Sequence, residues 1–97
     1  MSQIRLTPDQ LREKGSQYRE QSGIIEETIA TLDRLLNELE EQFEGAASQR
    51  FAAQFGEIRP HFVDAQEMTA TLSQQMNQMA ENFEQLDNDM ASQLGGM

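Results

Sequence analysis

The chain has 97 residues, 17 acidic and 7 basic, for a formal net charge of −10, and this length suits one small domain. Such a surface repels phosphate, which argues against nucleic acid and anionic membranes as partners. There is no cysteine, so disulfides and thiolate metal centres are excluded.

Met1 is followed by Ser2, Gln3, Ile4 and Arg5 rather than by a basic stretch and an apolar core, so no conventional signal peptide is expected. The first element is signalled at Thr7-Pro8-Asp9-Gln10. Thr7 can cap a helix, Pro8 suits its first position, and Gln10 completes a capping box. Leu11, Tyr18, Ile25, Leu32 and Leu39 then recur at heptad spacing, with Gly15, Ser22, Ile29, Leu36 and Phe43 in the second register. This is the a/d seam of a packed helix, predicted over about residues 8–43. Gly15 and Ser22 are its small members and allow a neighbouring helix to approach closely.

A reversal follows near residues 44–46. Gly45 supplies the left-handed conformation that a helix stop uses, and Ala46 and Ala47 favour an immediate second helix. On that second arm Phe51, Phe55, Ile58, Phe62, Ala65, Thr69, Leu72, Met76, Met79, Phe83, Leu86 and Met90 alternate spacings of four and three. A strand would need alternation at two, so a helix over about residues 47–94 is predicted, stopped by Gly95-Gly96. Pro60 interrupts the hydrogen bonding of that helix, but the heptad register passes through it unchanged, which favours one kinked helix over two. Every Lys and Arg lies at or before Arg59, so beyond that point the charged residues are Asp64, Glu67, Glu81, Glu84, Asp87 and Asp89, all acidic. No run of about 18 apolar residues exists, so no segment is expected to span a membrane, and stable insertion at neutral pH is not expected.

Two arms joined by a tight turn pack antiparallel. The predicted fold is therefore all-α, a single helix-turn-helix hairpin. Leu35, Val63 and Met68 widen the apolar stripes beyond what one partner helix covers, and a two-helix unit this small buries little core. Pairing with a second copy into an elongated four-helix bundle resolves both problems, with a related hairpin protein as the alternative partner. The seam of hairpin and dimer is assigned to Leu11, Gly15, Tyr18, Ser22, Ile25, Ile29, Leu32, Leu36 and Leu39 on the first arm. On the second arm it is assigned to Phe51, Phe55, Ile58, Phe62, Leu72 and Met76. At about 1.5 Å per residue the arms span roughly 50 and 70 Å, so the segment from Phe83 onward overhangs its own hairpin.

Nothing in the pattern points to catalysis or a cofactor. His61 is the only histidine and has no second ligand type beside it. The acids Glu38, Glu40, Glu41 and Glu44 read as a solvated helix face, and Met68, Met76, Met79 and Met90 as gap-filling apolar residues.

The combination resembles the WxG family of roughly hundred-residue proteins, relatives of the mycobacterial early secretory antigen. The likeness covers the whole chain. The family's Trp-x-Gly turn corresponds to Phe43, Glu44 and Gly45, with Phe in place of Trp; Phe keeps the aromatic ring but lacks the indole N–H. The family's C-terminal element, Tyr-x-x-x-Asp/Glu, corresponds to Phe83 through Asp87. A broader form, hydrophobic-x3-Asp-x2-hydrophobic-x3-hydrophobic, is matched by Phe83, Asp87, Met90 and Leu94. The resemblance implies a non-enzymatic protein exported by a type VII (ESX-type) secretion system as a folded dimer, without signal cleavage. It further implies a cytoplasmic stage before export and an extracellular or cell-surface one after it, with an effector, virulence or co-secretion role. The tail pattern looks like that of the homodimeric Gram-positive branch. In that family the turn of one chain and the tail of the other would form one surface for the secretion ATPase. A cytosolic helical adaptor or chaperone is the alternative reading, and a membrane-active effector a minor one.

Overall fold

The computed structural model describes residues 7–43 and 45–95, with side chains through residue 92. Two helices make up the fold: α1, Pro8–Gln42, and α2, Ala46–Gly95. Their ends fall within a residue of the positions expected from the sequence. The rod they form measures 79 × 28 × 16 Å.

The start of α1 follows from the chemistry of four residues. The Gln10 backbone N–H donates to Thr7 Oγ1 at 3.1 Å, and the Thr7 N–H donates to Gln10 Oε1 at 2.9 Å. Both satisfy donors that a helix start leaves without partners, and Pro8 needs none. At the other end Phe43 leaves the helical conformation while its N–H still donates to the Leu39 carbonyl at 2.9 Å. Gly45 has φ +116°, a backbone conformation that L side chains rarely adopt. Its carbonyl oxygen accepts from the Gln49 N–H at 3.3 Å and from Ser48 Oγ at 3.2 Å, which anchors the first turn of α2.

α2 runs through Pro60 as one helix. The proline has no N–H to give the Gly56 carbonyl one turn earlier, and Gly56 has open space around it.

The two helices meet through small residues. Leu11, Ile29 and Ala80 are the buried apolar side chains among the described residues, accompanied by buried Ser22, Ser48 and Ser73. Ser73 Oγ donates to the Gly15 carbonyl at 2.6 Å, and Ser22 Oγ donates to the Gln66 carbonyl at 3.0 Å. Hydroxyls bonded to backbone carbonyls across the seam require the two backbones to lie close, and glycine, serine and alanine permit it. An Arg59–Asp33 ion pair, with both bonds at 3.0 Å, fixes the same register nearer the turn. These pairs place Pro8 opposite roughly residue 82, so about the last thirteen residues of α2, some 20 Å, extend beyond α1.

Candidate functional site: the turn and the free end of α2

At the turn, Phe43 is 58% exposed even though it caps α1. Its ring, with Leu39, Ala47, Ser48 and Phe51, borders an apolar hollow of about 240 Å³. Glu44, the middle residue of the turn motif, lies outside the described residues.

On the free end of α2, Phe83 and Asp87 stand four residues apart and Met90 three further on, so the three share one face. Phe83 is 43% and Met90 53% exposed, with Leu86 beside them. Leu94 falls within the helix, but its side chain lies outside the described residues. Glu81, Glu84, Asp87 and Asp89 make this end acidic.

Within one chain the two motifs do not meet. They sit at opposite ends of the hairpin, separated by about 37 residues of α2, or roughly 55 Å.

The assigned seam residues divide between two faces. On α1, Leu11, Gly15, Ser22 and Ile29 are buried against α2, while Ile25, Leu32, Leu36 and Leu39 are half-buried and Tyr18 is exposed along one edge. On α2, Phe55, Phe62 and Met76 are half-buried, whereas Phe51, Ile58 and Leu72 are exposed, together with Met79. That exposed line continues at heptad spacing onto Leu86, while Phe83 and Met90 continue the register of Phe55, Phe62 and Met76 and are exposed beyond the end of α1. The α2 residues that meet α1 also include Arg59, Gln66, Ser73 and Ala80, recurring every seven positions. Apolar periodicity does not reveal them; the recurrence of small or hydrogen-bonding residues at one heptad position is the signal that does.

Two ion pairs staple the hairpin. Arg59 holds the Asp33 carboxyl below the ordinary carboxylate range through their hydrogen bonds. At the far end Arg12 grips Glu84 with both guanidinium nitrogens, Nη2 to Oε2 at 2.8 Å and Nη1 to Oε1, and holds that carboxyl low for the same reason. His61 is exposed. Among the described residues, no three His, Cys, Asp or Glu side chains gather as a metal would need, and no helix is long and apolar enough to cross a membrane. What the two ends expose is aromatic and aliphatic side chains next to carboxylates.

Known proteins share this arrangement. The family described as WXG100, proteins of 100 residues with WXG, matches residues 3–88. Protein YukE of Bacillus subtilis is 33% identical over 93 residues, covering 96% of each chain. The type VII secretion system extracellular protein A of Staphylococcus aureus is 26% identical over 95 residues, 98% of each. The crystal structure of Geobacillus thermodenitrificans EsxA superposes with a TM-score of 0.86 at 35% identity, over 94% of this chain and 98% of that one. A match that runs along both helices and through the turn, shared with relatives of the same length, has one reading: the chain belongs to the WXG100 family.

Proposed function

We propose that this protein is a substrate of a type VII secretion system, exported as a folded dimer of two copies and recognised through a surface that the dimer completes. The observation that carries this reading is the outward apolar line of α2, exposed from Phe51 through Ile58, Leu72 and Met79 to Leu86 and so continuing past the end of α1. A single hairpin leaves that line in water, where a long apolar stripe is a liability. A second copy laid antiparallel covers it by isologous pairing, with the two-fold axis near the middle of the line at about residues 68–69. In that register Phe51 of one copy lies opposite Leu86 of the other, so the hollow bordered by Phe43 receives the free end of the second copy. The turn and tail motifs, far apart in one chain, then form one site.

The relative named as a type VII secretion system extracellular protein supports the choice of export route. The route acts on a folded helical rod, and the free end is the part that the hairpin itself does not use.

Deleting residues 83–97 tests the proposal. In a bacterium carrying such a system, the truncated protein should stay with the cells while the full chain reaches the medium, as followed by immunoblot. The purified truncation should keep its helical circular dichroism. Continued export of the truncation would overturn the assignment of the tail. A full-length protein of monomer mass by light scattering at micromolar concentration would overturn the dimer.

A further inference from the structure

Once the hairpin register is known, the export reading leaves one contact unexplained: Arg12 with Glu84. By its backbone position Arg12 lies opposite roughly residue 78, yet its side chain reaches past the end of the paired region to a residue on the free helix. Helix geometry explains the reach. Side chains lean towards the N-terminus of their own helix. In an antiparallel pair Arg12 therefore leans away from the turn and Glu84 leans back towards it, and the two converge.

We infer that the Arg12–Glu84 pair is the positioning contact of the export helix, setting the direction and rotation of residues 83–95 so that Phe83, Asp87 and Met90 present one outward face. This rests on the proposed export function. A guanidinium and a carboxylate joined by two parallel bonds are restrained in rotation as well as in distance. Glu84 adjoins Phe83 and stands three residues before Asp87, so fixing its direction fixes theirs. The directional bond before it is Ser73 to Gly15, about three helical turns earlier. Leu11 and Ala80 are buried beyond that bond, but apolar contact is non-directional.

The pair is also the charge balance of this end. Arg12 stands 3.5 Å from Asp9 as well, and Glu81 adds to the field around it. Removing the guanidinium leaves Asp9, Glu81 and Glu84 without that countercharge and frees the tail from its directional hold on α1. The side chains are 38% and 44% exposed, so solvent and salt screen the attraction and the pair adds little to global stability. Its effect is on orientation.

Three variants test this beside the 83–97 deletion: Arg12→Ala, Glu84→Ala, and the exchange Arg12→Glu with Glu84→Arg. Export and backbone amide exchange of residues 85–92 in the purified protein are both measured. Arg12→Ala and Glu84→Ala should lower export severalfold and speed amide exchange in the tail severalfold, leaving melting temperature and particle mass unchanged. The exchanged pair should restore both readouts towards the original. Normal export of Arg12→Ala, with the deletion still retained in the cell, would overturn this inference and leave the export reading standing. Slow amide exchange without restored export in the exchanged pair would show that the secretion machinery reads the Glu84 charge directly, which also overturns it. Export of the deletion itself would remove the export reading and this inference together.

Discussion

Gly15→Ala and Gly23→Ala make the same chemical change on one helix two turns apart, and the structure assigns them opposite outcomes. In an open helix interior, alanine is preferred to glycine by about 0.8–1.0 kcal/mol. At Gly23 an added Cβ meets nothing within 4 Å, so the whole preference is expressed and stability rises by about 1 kcal/mol. At Gly15 the added Cβ would lie 2.9 Å from Asn77 Oδ1 and 3.2 Å from the Ser73 carbonyl oxygen. The amide of Asn77 can swing aside, but the Ser73 oxygen belongs to the α2 backbone and moves only if the helix moves. Forcing extra volume into such a contact costs about 1–3 kcal/mol. Shifting α2 also stretches the 2.6 Å bond from Ser73 Oγ to the Gly15 carbonyl. The net result is a protein roughly 0–2 kcal/mol less stable, a gap of about 1–3 kcal/mol between the two variants. Urea unfolding followed by far-ultraviolet circular dichroism resolves such a gap when the slope is unchanged. Both proteins must be at one fixed concentration, because association adds to apparent stability. Equal stabilisation by the two substitutions would refute the close approach of the helices at Ser73.

Two further predictions concern the proline and the ion pairs. Replacing Pro60 by Ala restores the N–H that the Gly56 carbonyl lacks and should stabilise the protein by about 1–3 kcal/mol; a lower melting temperature would show that packing requires the proline. Asp33 and Glu84 are both held below their ordinary pKa, so the unfolded chain takes up their protons at a higher pH than the folded one does. Their contribution is therefore complete above the ordinary carboxylate range and is lost as pH falls through the lowered folded values. The stability difference between the parent and an Asp33→Asn, Glu84→Gln double variant should stay constant above about pH 5 and shrink below about pH 4. A difference that instead shrinks between neutrality and pH 5 would contradict the ion-pair geometry.

The hairpin was legible in the sequence because each local signal agrees with the next. The capping box at Thr7 and Gln10, the heptads of both arms and the glycine after Phe43 all specify the same two helices. Periodicity also carried α2 through Pro60. The division of the apolar line was not legible. Phe55 and Phe51 belong to the same alternating series, yet one is half-buried and the other exposed. What separates them is the position of α1, which the pattern of α2 alone does not contain. α1 settles against Ser73, Ala80 and the carbonyl of Gln66 because two backbones approach most closely over small side chains, and hydroxyls there can bond across to carbonyls. The Arg12–Glu84 contact was hidden for another reason. It joins residues 72 positions apart whose side chains lean towards each other, and only a known register shows that they meet.

The two ends of the turn motif answer to different constraints. Phe43 stands largely in solvent, so its identity can be judged by whatever approaches from outside. Gly45 has φ +116° with open space where a side chain would go. Bulk is therefore not what bars other residues at 45; handedness is. A D-alanine introduced there by chemical synthesis would adopt the required backbone angle as naturally as L-residues adopt its mirror image, while L-alanine would not. The final glycine of the motif is thus set by stereochemistry, and the exposed aromatic residue before it is not.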